Sequence, residues 1–323
     1  MGPIVNAVFT VGLASTFAFS VDAAMAKDLT LGYVAGSLEY PYNVATAKGF
    51  KDEAKKAGVK TIVLDPRGSV ERQANSIDDL IAQGVDGIGF LPLDSVVSQA
   101  WVDKIVEHKL PAVAIAVQVG DPQKTPIRQV YPKLTALVTT DDILAGEVAG
   151  ELAAKLLPKN RAAKVGVIEG APGYAVVSQR TQGFNEGLKK AGAKYEIVAS
   201  QPTDWTPEKG EAVCQNILTA HPDLDLFFSQ ADDMAIGCSR AIRAIGSNAR
   251  LVATGGGSRL GLDAVKAGEI DGSVCTRPEL LGRLMFRALK EAVTNPNAPK
   301  AQFVTYDMPA ITKDTLSNCP SEW

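Results

Sequence analysis

Histidine is nearly absent from this chain, with only His108 and His221 among 323 residues. The four cysteines, Cys214, Cys238, Cys275 and Cys319, show no close CxxC spacing. Together these shortages leave little for a zinc site and give histidine-based catalysis no setting. Long like-charge runs and low-complexity tracts are missing, and the net charge is −3. There is no basic field for nucleic acid. No Walker loop occurs. The glycines at 255–257 fail as a dinucleotide fingerprint, because the third glycine of GxGxxG counted from Gly255 falls on Leu260. The same Leu260 breaks a GxSxG elbow around Ser258. An enzyme is not expected, and neither a cofactor nor a metal.

A duplicated segment is present. Residues 48–60 read KGFKDEAKKAGVK and residues 182–194 read QGFNEGLKKAGAK, at a constant offset of 134. Each copy follows a strand-like run, 29–34 and 164–169, and precedes another, 61–64 and 195–199. In the second copy Val177, Thr181, Phe184, Leu188 and Ala191 recur at helical spacing and predict one apolar stripe against a sheet. In the first copy the stripe is Val44, Ala47, Phe50, Ala54 and Ala57. Gly58 and Gly192 end the two helices, where a left-handed residue is tolerated. Two βαβ openings in register predict two similar lobes, which suits a chain of 323 residues. A cleft between lobes is a preferred place for a small ligand.

At the start of the chain, Ile4–Phe19 is apolar and Ala24-Met25-Ala26 precedes Lys27. A run of about 16 residues is short for a membrane span, so residues 1–26 read as a secretory signal peptide. No Lys or Arg precedes the run, which departs from the usual pattern. Past this leader, strands are predicted at 29–34, 61–64, 87–91, 112–116 and 136–138. A second set follows at 164–169, 195–199, 224–229, 251–254 and 272–275. Helical stretches alternate with them. The fold class is α/β: two similar doubly wound parallel-sheet lobes, with a hinge and a ligand cleft between them.

Ligands of such sheets sit beyond the carboxyl ends of the strands. The candidates there are Tyr40, Tyr42 and Asn43, then Asp94, Gln118, Arg180, Trp205, Asp232, Gly256, Thr276 and Arg277. Aromatics, amides, acids and an Arg suit a small polyhydroxylated ligand, with flat rings on its C–H faces and polar groups on its hydroxyls. Arg180 lies in the first turns of its helix, where the dipole disfavours a cation. It needs an oxygen-rich partner, either a ligand or a carboxylate such as Glu169 or Asp204.

Three stretches are the most specific: residues 179–184 (QRTQGF), 199–205 (ASQPTDW), and 215–223 (QNILTAHPD) leading into 229–237 (SQADDMAIG). They resemble the type I periplasmic solute-binding proteins of ABC importers, the ribose and galactose-binding family. The resemblance spans nearly all of residues 28–310. It implies sugar contacts for Arg180 and Trp205, and it keeps one aromatic of the family's first motif at Tyr42. Several positions depart. The Asp-Arg that ribose binders carry after the fourth strand is Ala116-Val117 here, followed by Gln118. Their Asn before the acidic pair is Ala231, their Phe-Asp falls on Gly255-Gly256, and their hinge Gln falls on Thr276. Ribose, glucose and galactose therefore do not transfer as ligands. A sugar alcohol, a furanose or deoxy sugar, or an anionic solute meeting Arg180 and Arg277 remain open.

The resemblance also implies the domain plan: residues 28–139 plus 277–304 as one lobe, 140–276 plus 305–323 as the other. Four cysteines allow three pairings. With crossover helices adjacent and the tail returning to the second lobe, Cys214–Cys238 and Cys275–Cys319 are preferred. The implied function is a monomeric periplasmic receptor that closes on its solute and delivers it to an ABC permease. The alternatives are a periplasmic sensor docking on a membrane receptor, and a binder of an anionic or non-sugar solute.

Overall fold

The computed structural model describes residues 1–2 and 28–323. Beyond its first two residues, the expected signal segment 1–26 lies outside the described part. Among the described residues no helix is long and apolar enough to cross a membrane.

The first half runs β1 (Thr30–Val34), α1 (Pro41–Lys56), β2 (Lys60–Leu64), α2 (Val70–Ala82) and β3 (Gly87–Phe90). It continues with α3 (Ser98–Glu107), β4 (Ala112–Ile115) and β5 (Ala136–Val138). The second half runs α4 (Asp142–Leu156), β6 (Ala163–Glu169), α5 (Ala175–Lys190), β7 (Tyr195–Pro202) and α6 (Pro207–Ala220). Then follow β8 (Leu226–Ser229), α7 (Asp232–Ile245), β9 (Arg250–Ala253), α8 (Arg259–Ala267) and β10 (Ser273–Val274). The chain closes with α9 (Pro278–Thr294), β11 (Gln302–Val304) and β12 (Ala310–Ile311).

Two parallel sheets result. One has the order β11-β5-β4-β3-β1-β2, the other β7-β6-β8-β9. Bridges Val252–Gly272 and Gly256–Cys275 carry the second sheet on to β10, which pairs antiparallel with β12. Strands β3, β4, β5 and β8 are buried along their whole length. Their near-continuous apolar runs are what a parallel sheet covered on both faces requires. The predicted strands are all present, with ends moved by at most three residues. The sequence reading did not place β11 and β12. These short strands join opposite lobes: β11 pairs with β5 and β12 with β10. The chain therefore passes between the sheets after β5, after β10 and after β11.

The repeat is visible in three dimensions. Helices α1 and α5 each span 16 residues, and their N-caps, Tyr40 and Tyr174, share the same extended backbone (φ −92, ψ 125 and φ −91, ψ 125). Gly58 and Gly192 both have φ +67 and stop the two helices. Phe50, Ala54, Phe184 and Leu188 are fully buried, as the stripes require. The stripe ends behave differently. Val44, Ala57 and Ala191 are exposed, and Val177 and Thr181 are half-buried. Each helix turns a second face to a partner helix, α9 for α1 and α4 for α5, and this rotates the buried arc. The arc is centred on small residues at the contact. A Cβ on Gly49 would stand 2.0 Å from the Glu279 carbonyl oxygen, and one on Gly183 would stand 1.9 Å from that of Ile143.

Two disulfides fasten the second lobe. Cys214 joins Cys238 between α6 and α7, with Cα atoms 5.1 Å apart. Cys275 joins Cys319, with Cα atoms 5.7 Å apart.

The helix contact at Gly183 gives a direct test. Its nearest neighbour is backbone, which cannot swing aside as a side chain would. Gly183→Ala should lower stability by about 1–3 kcal/mol, the cost of overpacking, read as a lower urea midpoint at unchanged slope. An unchanged midpoint would mean that α4 and α5 are not packed this closely.

Candidate functional site

The carboxyl ends of both sheets open onto one cavity of about 270 Å³. This is just under the roughly 300 Å³ at which clefts begin to take drug-sized ligands. Both lobes supply its walls. From the first come Tyr40, Tyr42, Asn43 and Ala116, and from the second Tyr174, Arg180, Trp205 and Asp233. Thr140 and Asp142 line it at the crossing after β5. Among the described residues no cluster of metal-ligating side chains occurs.

Arg180 is set by a buried network. Its Nε donates to Asp142 Oδ1 at 2.7 Å, and its Nη1 donates to the Gln230 carbonyl oxygen at 2.5 Å. The carboxylate partner is thus Asp142, where the sequence had suggested Glu169 or Asp204. The Gln230 side chain, fully buried after β8, holds the surroundings in place. Its Nε2 donates to the Val177 carbonyl oxygen and to Thr181 Oγ1, both at 2.8 Å. Its Oε1 accepts from the Gly170 N–H at 3.0 Å. Burial pushes the Asp142 carboxyl above the usual carboxylate range, with the Arg180 charge opposing. The second oxygen of Asp142 is buried and has no hydrogen-bond partner among the described residues.

The aromatic walls are equally determined. Trp205 packs edge to face on Tyr174, with ring centroids 6.0 Å apart. Its backbone takes φ +71, a region that costs a non-glycine residue energy and persists only when the surroundings over-determine it. They do so through Thr203. Its Oγ1 accepts from the Trp205 N–H at 3.2 Å and donates to the Glu169 carbonyl oxygen at 2.7 Å. The indole lies against Gly170, where a Cβ would stand 1.8 Å from the ring. Ala116, on the opposite wall, is likewise at φ +63. Asn43 is buried and donates to the Ser37 carbonyl oxygen at 2.9 Å. Burial pushes the Tyr42 hydroxyl well above its ordinary value, so it stays protonated and able to donate.

The cavity brings together Tyr40, Tyr42, Asn43, Arg180 and Trp205 from the sequence candidates. The others stand elsewhere, each for a local reason. Asp94 Oδ1 accepts the N–H groups of Val96 and Val97 at 2.8 and 2.9 Å, closing its own turn. Gln118 is buried beside the cavity, where its Nε2 donates to the Thr125 carbonyl oxygen at 2.8 Å. Its Oε1 accepts from Gln179 Nε2 at 3.0 Å, a bond from one lobe to the other. Asp232 turns into the second lobe, where Ser273 Oγ donates to it at 2.7 Å. Its neighbour Asp233 takes the cavity position instead. The Thr276 N–H donates to the Gly256 carbonyl oxygen at 2.7 Å. Arg277 Nε donates to Glu322 at 3.2 Å, away from the cavity.

Sequence reasoning missed Tyr174, Asp142, Asp233 and Trp323 as wall residues. The 134-residue offset could have found Tyr174, the counterpart of Tyr40. Asp142 lies just past β5, a strand end that contributed none of the sequence candidates. No sequence signal marked Trp323.

The family profile described as the periplasmic binding protein domain matches residues 31–297, and the chain belongs to that family. The ribose import binding protein of Bacillus subtilis is 32% identical over 276 residues, covering 85% of each chain. A Mycobacterium smegmatis protein solved in complex with beta-D-fucofuranose aligns with TM-score 0.79 at 27% identity, covering 90% of this chain and 93% of that one. A Caulobacter myo-inositol binding protein, bound to myo-inositol, also gives 0.79, at 25% identity, covering 90% of this chain and 96% of the other.

Asp232 offers a test that needs no ligand. Burial pushes its carboxyl from the ordinary 3.8 up to about 7. Across that interval the native state holds the proton more tightly than the unfolded chain. Ionisation therefore erodes stability as pH rises from about 4 to about 7, and the loss is complete above that. Asp232→Asn removes this contribution. The melting temperature of the variant minus that of the parent should be larger at pH 8 than at pH 5. A difference that stays constant with pH would show that Asp232 is not buried as described.

Proposed function

We propose that this protein is a periplasmic receptor of an ABC importer. It holds one small neutral polyhydroxylated solute, a furanose sugar or a cyclic polyol, between its two lobes. The observation that carries this reading is the composition of the cavity wall: five aromatic rings around a few fixed polar groups. Rings cover C–H faces, and the polar groups take hydroxyls. The fucofuranose and myo-inositol complexes of its structural neighbours support the same class of solute.

Charge decides between a neutral solute and an anion. Arg180 is matched by Asp142. Asp233 adds a second carboxylate to the wall, pushed up by burial alone and with no partner in the protein among the described residues. Arg277, the other cation considered for an anion, is taken by Glu322. A wall whose arginine is already paired with a carboxyl, and which holds a second carboxyl, offers an anion no unpaired cation and offers hydroxyls acceptor oxygens.

The proposed lobes are residues 28–139 plus 277–304, and 140–276 plus 305–323. The sheet membership of β11 and β12 supports this division. Export to the periplasm agrees with the family and with the leader read at residues 1–26.

Size is consistent with useful affinity. A micromolar complex needs about 8 kcal/mol. For roughly ten heavy atoms that is about 0.8 kcal/mol per atom, below the ceiling of about 1.5.

A thermal-shift panel of D-ribose, free furanoses, myo-inositol, linear polyols and sugar acids tests the proposal. A neutral member at a hundredfold excess over its dissociation constant should add about 2.7 kcal/mol of apparent stability. Its affinity should change little between low and high salt. Arg180→Ala should weaken it by at least about 1.5 kcal/mol. A response confined to sugar acids, and weakening with salt, would overturn the neutral-solute reading.

A further inference from the structure

Beyond β12 the chain returns to the ligand cavity. Cys319 is buried and joined to Cys275 just after β10. Four residues later Trp323 lines the cavity and meets Tyr42 edge to face, with centroids 5.8 Å apart. The backbone oxygen of Trp323 accepts from the N–H of Arg259 at 2.7 Å, in the first turn of α8. Both ends of this short segment are thus fastened to the second lobe.

Its middle is fastened to the first. One carboxylate oxygen of Glu322 accepts the N–H groups of Glu279 and Leu280 at 2.8 and 3.3 Å. These are first-turn donors of α9, the helix packed on α1, and a carboxylate is favoured there by the helix dipole. The other oxygen accepts from Arg277 Nε and Arg283 Nη2, each at 3.2 Å. The Glu322 side chain keeps only 5% of its exposure. A covalent tether, a buried carboxylate with four donors and an aromatic contact all converge on one five-residue stretch. Together they hold the indole of Trp323 at a fixed place in the cavity wall.

We propose that residues 319–323 form a disulfide-tethered strap across the hinge. Its Trp323 supplies a wall of the solute site and limits the size of solute admitted. This deepens the reading of the cavity as a polyol site and rests on it for the role of Trp323. The anchoring of the strap stands independently. The Cys275–Cys319 bond sets where the strap starts, Glu322 sets its path past α9, and the indole then closes the cavity beside Tyr42.

Incorporation of 5-fluorotryptophan labels Trp101, Trp205 and Trp323, the three tryptophans of the chain. Replacement of each by phenylalanine assigns the fluorine resonances. Without any solute, the double variant Cys275→Ser/Cys319→Ser, and separately Glu322→Gln on the intact disulfide, should move the Trp323 resonance toward that of free indole. Both should speed amide exchange at Glu279 and Leu280 at least tenfold. Should the double variant fold poorly, Glu322→Gln alone decides. A Trp323 resonance and amide rates unmoved in Glu322→Gln overturn the strap. Calorimetry with D-ribose and myo-inositol then tests the wall. Trp323→Ala should bind the tighter of the two probes at least tenfold more weakly than the parent. Parent-like affinity in Trp323→Ala overturns the wall assignment and leaves the polyol reading intact. A parent that binds no member of the neutral panel overturns the polyol reading and the wall with it, while the strap is still decided by the fluorine and exchange data.

Discussion

The arrangement of the site depends on one buried ion pair, Arg180 with Asp142, whose side chains retain 12% and 1% of their exposure. Taking two charges out of water costs several kcal/mol, and the pair recovers that only with good geometry and further hydrogen bonds. Gln230 supplies them. Its carbonyl oxygen takes the second Arg180 donor while its side chain bonds the backbone of α5 and of the segment after β6. The pair is therefore weak as a source of stability and strong as a source of position. It ties the crossing after β5 to the ends of β6 and β8. It also leaves the guanidinium facing the cavity at a fixed angle, with its charge already balanced. A site built this way favours hydroxyls over a carboxylate or phosphate, because no uncompensated cation waits for an anion.

Around that centre the two lobes contribute unequally. The second carries both disulfides and the left-handed Trp205, while Ala116 places the same kind of backbone strain on the first lobe's wall. Strain at a ligand wall needs a stiff support, and the bonds through Thr203 supply it. The first lobe is fastened to the second at few points. Gln118 with Gln179, the pair of Arg128 with Asp141, and the bonds of Glu322 to the first turn of α9 all lie close to the crossings. Contacts clustered near a hinge leave the outer parts of the lobes free to separate.

The architecture was legible because it is written in periodicity and repetition. Phe50 and Phe184 recur at the same place in two copies of one helix, and that repeat led directly to two lobes and the cleft between them. Arg180, Trp205, Tyr42 and Asn43 were legible because strand ends face the cleft and because this cation and these rings suit a polyol. Side-chain direction was not legible. Asp232 and Asp233 are adjacent acids at the start of one helix, and 100° of helical rotation sends the first into the lobe and the second into the cavity. Asp94 looked available and was captured by its own turn. Arg277 looked like an anion ligand until Glu322, 45 residues away in sequence, proved to hold it. Glu322 and Trp323 could not be placed from pattern at all. Their position follows from a disulfide and a tail path that no local spacing records.

The proposed receptor closes one cavity, shared by two lobes, around a neutral polyhydroxylated solute. Small-angle scattering of the same preparation, before and after saturation with the tightest neutral solute of the panel, tests this closure most directly. Closure about the three crossings predicts a smaller radius of gyration in the loaded protein. Binding that saturates with no change in the radius would contradict the account.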